Sequence, residues 1–279
     1  MFKILHKEDL TSTVRLLEIE APAVAQKAQP GQFVMVMVDE SGERIPLTIA
    51  DWDSGRGSIS VVVSEVGTTT RKLGALKQGD ALAHFTGPLG KPADIDRVGN
   101  VTCVAMGYGM ATIVPIARAL HETGNRVFSI ISAPTRADLF GIDRLSNVSD
   151  TLLVTTSDGS YGEKGWVIEH LRQMLKGNEP INKVFAIGSV CMMKLVSAVT
   201  KEFGIKTVVT LNPVMVDGTG MCGACRVSVG GTTKFACVDG PEFDGHEVDW
   251  ELLMARRCTY PASLGEAATI YRCQYCGQW

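Results

Sequence analysis

The sequence lacks a dominant charge, a long apolar run and an apolar N-terminus. Its 27 Lys and Arg residues nearly balance 30 Asp and Glu residues, which gives a formal net charge of −3. Without an excess of positive charge there is no electrostatic basis for binding a phosphate backbone, so we expect no nucleic-acid partner. No window approaches the roughly 18 consecutive apolar residues of a membrane span, and charges interrupt residues 1–9 where a signal peptide would be apolar. We therefore expect a cytoplasmic protein that does not bind membranes.

The eight cysteines are distributed unevenly along the 279 residues. Cys103 and Cys191 stand alone in apolar surroundings, where a cysteine is usually an inert small hydrophobe, and the others follow residue 220. In a long chain without an export signal, clustered cysteines favour metal or redox chemistry over disulfides.

The first part of the chain, residues 1–97, is predicted to be a domain of short strands. Turn residues separate β-rich runs at residues 13–19, 33–38, 45–50, 58–63 and 81–85. About six such strands would close into a small antiparallel barrel. Val62-Val63-Ser64 leads into Gly67 and the hydroxyls of Thr69 and Thr70, and amides and hydroxyls at such a turn can cradle a pyrophosphate. A polar loop with a helix cap is the alternative.

Residues 98–211 change to a β-α-β alternation, which predicts a doubly wound parallel sheet with helices on both faces. Strands are expected at residues 101–106, 127–131, 152–156, 184–187 and 207–210, and helices at 111–121, 165–175 and 191–203. Three glycine-bearing loops follow strand ends, where such sheets bind nucleotides. Their candidate cofactor-binding residues are Gly107, Tyr108, Gly109, Met110, Asp158, Gly159, Gly188, Ser189 and Met192. The alternative is that these loops are only tight turns, and the sequence does not separate NADH from NADPH.

A glycine-rich loop carries Cys222, Cys225 and Cys237, with two and then eleven residues between them. Plant-type two-iron clusters use C-x4-C-x2-C and a distant fourth cysteine. Asp217 stands where the first cysteine of that pattern would be. Asp217 is therefore either an oxygen ligand or a cap of the Gly-Thr-Gly turn. A zinc-stabilised binding module is an alternative for the whole loop. Cys273 and Cys276 also have metal-ligand spacing. They are either two reduced thiols in the tail or part of a metal site that Cys258 or a partner subunit completes.

Taken together, these motifs resemble the ferredoxin-NADP reductase superfamily. Within it, the stretch from Val216 to Arg226, followed by 235–246, is similar to the small subunits of dihydroorotate dehydrogenases and of electron-bifurcating NADH-dependent ferredoxin:NADP oxidoreductases. The resemblance implies a flavin-binding β-barrel (1–97), an α/β nucleotide domain (98–211) and a [2Fe-2S] domain (212–257), followed by a tail (258–279).

The resemblance also implies the cofactors and partners. FAD would lie against Arg44, Pro46, Leu47, Thr48, Ile49, Val62, Val63, Ser64, Gly67, Thr69 and Thr70. A [2Fe-2S] cluster would be held by Asp217, Cys222, Cys225 and Cys237. NAD(P)H would exchange a hydride with FAD, without a catalytic acid or base. The electrons would reach a larger flavoprotein subunit with iron–sulfur clusters, similar to the glutamate synthase small subunit, and ferredoxin indirectly. A dihydroorotate dehydrogenase or hydrogenase-type complex is the alternative assembly.

Overall fold

Seven antiparallel strands form the first unit of the computed structural model, which describes residues 1–257. They are β1 (Phe2–Asp9), β2 (Val14–Glu20), β3 (Phe33–Met37), β4 (Ile45–Asp53), β5 (Ser58–Ser64), β6 (Ala81–Leu82) and β7 (His84–Leu89), in the order β6-β1-β2-β5-β4-β3-β7. Only Ala83 separates the two edge strands, so the sheet curves into a nearly closed barrel. The predicted barrel is confirmed. Cys258, Cys273 and Cys276 of the predicted tail lie outside the described residues.

The barrel interior is filled by alternate residues of its strands. Ile4, Leu17, Ile49, Ile59 and Val63 are all almost completely buried in one apolar cluster. Helix α1 (Pro22–Ala25) and helix α2 (Thr68–Ala75) add Val24 and Leu73 to this cluster. Strand β1 was not expected from the sequence, because its charged side chains hide the alternation and only Ile4 of this strand is fully buried.

The second unit is the predicted parallel sheet. It contains β8 (Asn100–Met106), β9 (Arg126–Ala133), β10 (Thr151–Thr156), β11 (Glu163–Lys164), β12 (Lys183–Ile187) and β13 (Lys206–Thr210). Its helices are α3 (Gly109–Thr112), α4 (Val114–Glu122), α5 (Ile142–Ser146), α6 (Val167–Leu175) and α7 (Val190–Glu202). One helix was expected over residues 111–121, but the structure divides it. Pro115 lies in the first turn of α4, where its missing N–H leaves no bond unmade.

The third unit continues from the nucleotide sheet and returns to it. Its elements are the hairpin β14 (Arg226–Val229) and β15 (Thr232–Phe235), strand β16 (Glu242–Asp244) and helix α8 (Trp250–Arg257). Strand β16 pairs antiparallel with β13, so the sheet order is β11-β10-β9-β8-β12-β13-β16. The predicted all-parallel sheet therefore ends on one antiparallel strand, which the third unit supplies.

None of the helices described is long and apolar enough to cross a lipid bilayer.

The side-chain carboxyl group of Glu242 is enclosed where the three units meet. Its Oε1 has no hydrogen-bond partner among the described residues, and a Cβ added to Gly31 of the barrel would lie 3.0 Å from it. Burial raises the pKa of Glu242 from 4.5 to about 7, with nearby Lys183 opposing the rise and Asp94 adding to it. The carboxyl is therefore neutral in the folded protein under mildly acidic conditions.

We expect this carboxyl to weaken the fold as pH rises from about 4.5 to about 7. In that window the folded state binds a proton that the unfolded state has released, so the free energy of unfolding falls by up to about 3 kcal/mol and then levels off. Thermal melts of wild type and Glu242→Gln at successive pH values measure this. The variant should lose less stability over the window, whereas Glu20→Gln, at an exposed site, should behave as wild type. Parallel curves for all three proteins would rule out a titrating Glu242.

Candidate functional site

The crevice at the centre of the nucleotide sheet lies between β8 and β12. From β8 the chain proceeds outward to β9 and β10, and on the other side β12 is followed by β13, so the strand order reverses there. At the end of β8, a Cβ on Gly109 would lie 2.1 Å from the Ile187 carbonyl oxygen. Across from it, a Cβ on Gly188 would lie 3.2 Å from the Met106 carbonyl oxygen. Only glycine at position 109 allows this approach, and a side chain at position 188 would also crowd the opposite loop, at the point where open α/β sheets bind ligands.

Tyr108 bridges the two loops of this crevice. Its hydroxyl donates to the Gly188 carbonyl oxygen at 3.1 Å and accepts from Asn212 Nδ2 at 2.8 Å. Met110 and Met192, both predicted to contact the cofactor, have fully buried side chains that pack in the core below the crevice. Ser189 caps α7, because its hydroxyl accepts from the Met192 amide. Of these residues, Tyr108 is the one whose side chain spans the crevice.

The third predicted loop lies two strands away, at the end of β10. Asp158 accepts from the amide and hydroxyl of Ser160, and these bonds hold the pKa of Asp158 below its usual range. Gly159 has a φ of 80°, which its turn requires. The guanidinium of Arg136, which follows β9, lies 3.9 Å from the centre of the Tyr161 ring. This loop therefore contacts the segment that follows β9, and it lies beside the nucleotide crevice, not in it.

The predicted flavin segment divides between two faces of the barrel. Ile49 and Val63 point into the barrel core, and Leu47 packs against it, so these side chains do not face a ligand outside. Alternation along β4 places Pro46 and Thr48 on the outer face, and both are half-buried. On β5, Val62 packs towards the nucleotide unit, and Ser64 is half-buried. Arg44, just before β4, is exposed.

The turn before α2 presents hydroxyls and helix amides. Gly67 is the N-cap, and Thr70 Oγ1 accepts from the amides of Val66 and Gly67. The first amides of a helix have no partner within the helix and favour an anion. Thr69 is buried, and its hydroxyl donates to Glu43 Oε2 at 3.3 Å. The helix amides at this turn could hold a phosphate, with the Glu43 carboxylate beside them.

Two of the three loop cysteines form a buried pair. Cys225 Sγ and Cys237 Sγ lie 3.2 Å apart without a disulfide, and both side chains are buried. Burial, together with the neighbouring Cys225, raises the pKa of the Cys237 thiol to about 12. Cys222 is exposed at the tip of the loop, where its sulfur accepts from the Ala224 amide at 3.5 Å. Iron binding would have to displace thiol protons here.

Asp217 folds back over the same loop. Its Oδ1 accepts from the Thr219 amide at 2.9 Å and its Oδ2 from the Cys222 amide at 2.8 Å. These backbone bonds lower the pKa of Asp217, so the carboxylate is charged. In this arrangement Asp217 caps the turn, and its hydrogen bond with the Cys222 amide keeps the carboxylate close to that cysteine. In the described part of the chain, no three His, Cys, Asp or Glu side chains converge as ligands of one ion do. A two-iron cluster instead spreads four ligands over two metals, which suits a thiol pair with a separate Cys222 and Asp217.

The loop packs directly on the barrel. A Cβ on Gly218 would lie 2.7 Å from Met35 Cγ and 3.0 Å from Leu89 Cδ1. Phe33 and Met35 of β3 share an apolar cluster with Cys225 and Cys237. Strand β3 also pairs with β4, where Met35 lies opposite Pro46 and Phe33 opposite Thr48. The thiol loop, residues 217–237, therefore packs on β3. The predicted flavin face, formed by Pro46 and Thr48, belongs to the neighbouring strand β4.

Two contributors to the site were missed from the sequence. Asn212 gives no signal of its own, since a lone asparagine after a strand is an ordinary turn residue. Gly218 lies in a Gly-Thr-Gly motif, and the two glycines are a sequence signal for a tight turn; in the structure Gly218 has a φ of 77°.

Comparison with known proteins gives a consistent result. Residues 212–249 match the family described as the iron-sulfur cluster binding domain of dihydroorotate dehydrogenase B. A Thermotoga maritima protein described as a dihydroorotate dehydrogenase B (NAD(+)) electron transfer subunit homolog is 45% identical over 258 residues, which cover 92% of this chain and 91% of that protein.

The solved structures agree. A chain from the structure of an NADH-dependent reduced ferredoxin-NADP oxidoreductase, described in work on flavin-based electron bifurcation, is 44% identical, with a TM-score of 0.90 over 98% of this chain and 97% of that chain. Phthalate dioxygenase reductase, 18% identical with a TM-score of 0.56 over 82% of this chain and 85% of its own, shares the fold.

Proposed function

Because the chain belongs to the family of dihydroorotate dehydrogenase B electron-transfer subunits and their homologues, we propose that it is the electron-transfer subunit of an NADH-dependent ferredoxin:NADP oxidoreductase of the bifurcating kind. It is an oxidoreductase subunit that uses FAD, a [2Fe-2S] cluster and NAD(P)H. When bound, FAD exchanges a hydride with the nucleotide and single electrons with the cluster.

The described residues fit these groups. The outer faces of Pro46, Thr48 and Ser64 would lie against FAD. The amides at the start of α2, with Thr69 and Thr70, would hold its phosphates. Cys222, Cys225, Cys237 and Asp217 would hold the cluster, and the Gly109–Gly188 crevice would receive the nicotinamide half of NAD(P)H. None of these side chains needs to act as an acid or base.

The observation that carries this function is the packing of the thiol loop on β3. Gly218 contacts Met35, and Met35 lies opposite Pro46 on the flavin strand. Paired strands are about 5 Å apart, so a cluster held by this loop would lie close to a flavin held against β4. Single electrons could then pass between the two groups inside one chain.

The electrons must also leave this chain for a partner protein, and the thiol loop has an exposed surface on which such a partner could bind. Met221, Val214, Val216 and Val238 are exposed around it, with 89% of the Met221 surface accessible. Exposed apolar side chains grouped in this way are typical of interaction sites. This apolar rim would dock the larger partner subunit, a flavoprotein with iron–sulfur clusters similar to the glutamate synthase small subunit, which would pass electrons on to ferredoxin.

We expect Met221→Asp to weaken this docking without loss of the cluster. A carboxylate in the centre of a desolvated interface typically costs 2 kcal/mol or more, roughly a thirtyfold loss of affinity. Co-purification of tagged chain from the native organism, followed by mass spectrometry, identifies the partner and measures the loss. Leu252→Asp, at an exposed leucine of α8, is the control and should retain the partner. Equal recovery with both variants would place the interface elsewhere.

We assign one domain to each group: residues 1–97 would bind FAD, residues 98–211 would bind the nucleotide, and residues 212–257 would bind the cluster. We infer a cytoplasmic location, in keeping with the redox chemistry of the reduced thiols. A dihydroorotate dehydrogenase complex is the second candidate, favoured by the family match over residues 212–249. Asp217 argues against this second candidate, because the resemblance implies that the dihydroorotate dehydrogenase subunit has cysteine at that position.

A further inference from the structure

An ion pair links the barrel directly to the nucleotide unit. The guanidinium of Arg118, on α4, donates to the two carboxylate oxygens of Asp51, on β4, at 2.9 and 3.3 Å. Both side chains are partly buried, with 37% of the Arg118 side chain and 31% of the Asp51 side chain accessible. The bond to Asp51 raises the pKa of Arg118, so the guanidinium is charged. A contact through two nitrogens fixes direction as well as distance.

A β-bulge in β4 turns Asp51 towards this partner. The pairing of β4 with β5 shifts by one residue between Ile49 and Asp51, so Ala50 is an extra residue in β4. Ile49 points into the barrel, and strict alternation would place Asp51 on the same inner side. The extra residue instead brings Asp51 to the outside, where it meets Arg118. Bulges commonly redirect a side chain in this way, and they are frequent next to active sites.

Around the ion pair, the barrel and the nucleotide unit meet through apolar side chains. Ala50 and Val62 of the barrel share a buried cluster with Val114 of α4. Apolar burial holds two surfaces together, but it has no preferred direction. An ion pair this accessible contributes little to stability. The contribution of the Asp51–Arg118 pair is therefore geometric, because it sets the angle at which α4 lies against β4.

Each end of the pair belongs to an element that reaches the proposed site. Asp51 lies three residues after Thr48 in β4, about 10 Å along the strand. Arg118 lies nine residues after Gly109, on the second of the two helices that follow the crevice. A rotation of α4 against β4 would therefore change the distance between a nucleotide in the crevice and a flavin held against β4.

We propose that the Asp51–Arg118 pair is a positioning device for hydride transfer, which holds the nucleotide unit at the angle that brings the nicotinamide to the flavin. This role rests on the function proposed above and adds two residues to it. The pair exchanges no electron or proton. The hydride would pass with both of its electrons from the reduced nicotinamide to the oxidised flavin, and the pair would fix only the distance between them. Because the rate depends steeply on that distance, loss of the pair should slow reduction more than it weakens nucleotide binding.

The test is stopped-flow reduction of the flavin in the full-length chain, carrying its flavin and cluster, over a range of NADH and of NADPH concentrations. In Arg118→Gln we expect the limiting rate to fall about tenfold, while the half-saturating nucleotide concentration changes by less than about twofold. Asp51→Asn should have the same effect. The double variant should lose no more than either single variant, because both substitutions break the same contact.

The matched control is Arg172→Gln. Arg172 also bonds one carboxylate, that of Glu202, through two nitrogens, but this pair joins α6 and α7 within the nucleotide unit. It should be reduced at the wild-type rate. Dithionite needs no nucleotide site, so it should reduce all of the variants as it reduces wild type. Their melting temperatures should stay close to that of wild type, which separates a positioning role from a structural one.

Other outcomes overturn the positioning role. A wild-type limiting rate in Arg118→Gln and Asp51→Asn means that the pair does not set the distance, and losses that multiply in the double variant mean that the two residues act separately. A raised half-saturating concentration at an unchanged limiting rate would place the pair in nucleotide binding. Loss of flavin from both single variants would mean that the pair stabilises the barrel instead. If neither NADH nor NADPH reduces the wild-type flavin, the proposed function fails, and the positioning role fails with it.

Discussion

Replacing Cys225 with serine is expected to leave the purified chain without its [2Fe-2S] cluster. Cys225 lies 3.2 Å from Cys237, and both are buried against Phe33 and Met35 of the barrel. A serine hydroxyl there is a poorer iron ligand and stays protonated, and the buried partner thiol is left without a metal. Iron and acid-labile sulfide should fall to near zero, with loss of the visible absorbance that they give.

The control for this loss is Cys191→Ser, because Cys191 lies at the start of α7 in the nucleotide unit, outside the thiol loop. It should keep full iron and sulfide. Flavin absorbance reports whether the barrel of each variant is folded, so cluster loss can be distinguished from misfolding. A Cys225→Ser chain with unchanged iron would exclude Cys225 as a ligand.

The same measurement addresses the fourth ligand. Asp217→Cys should keep the cluster, since the new thiol restores the plant-type pattern. Thiolate donates more electron density than carboxylate, so the reduction potential and the EPR spectrum of the reduced cluster should shift. An unchanged spectrum would mean that Asp217 only caps the turn through its bonds to the Thr219 and Cys222 amides.

Adding one methyl group at Gly109 is expected to disable reduction by NAD(P)H. In Gly109→Ala the new Cβ would lie 2.1 Å from the Ile187 carbonyl oxygen, a contact that real structures do not tolerate. The loops after β8 and β12 must then separate by about 1 Å. A displacement of that size at a reacting centre can cost about 100-fold in rate. Stopped-flow reduction of the flavin by NADH and by NADPH measures the loss.

Reduction by dithionite separates this effect from damage elsewhere, because it bypasses the crevice and should be unchanged. Gly55→Ala is the matched control, since a Cβ there would meet only Asp53 Oδ1, at 3.4 Å, in the turn between β4 and β5. A Gly109→Ala protein that NADH and NADPH reduce at the wild-type rate would show that the crevice is not the nucleotide site.

The sequence predicted the elements whose pattern is local. Alternation and turn residues were enough for β2 to β5, and the β-α-β pattern was enough for the parallel sheet. The sequence did not predict β16, because its pairing with β13 spans a long loop and leaves no periodic signal in three residues. The helix expected over residues 111–121 is divided at Ile113, and Pro115 in the first turn of α4 was the local signal for a helix start there.

The candidate site shows the same limit. The thiols and Asp217 were predicted as cluster ligands from the sequence because their spacing is itself the signal. Ile49, Val63, Met110 and Met192 were named within cofactor-binding segments, and their side chains lie in the core, so any contact that they make with a cofactor would be through the backbone. Motif resemblance names a segment and does not say which of its alternate side chains faces outward. The Tyr108–Asn212 bond joins residues 104 positions apart and could be found only in three dimensions.

The most direct test of the proposed function is the iron, acid-labile sulfide and flavin content of the chain purified without oxygen. The proposed cofactors predict about two iron atoms, about two sulfides and about one FAD per chain, in a yellow-brown protein. A colourless protein that contains zinc, without sulfide or flavin, would contradict it and favour a zinc-stabilised binding module.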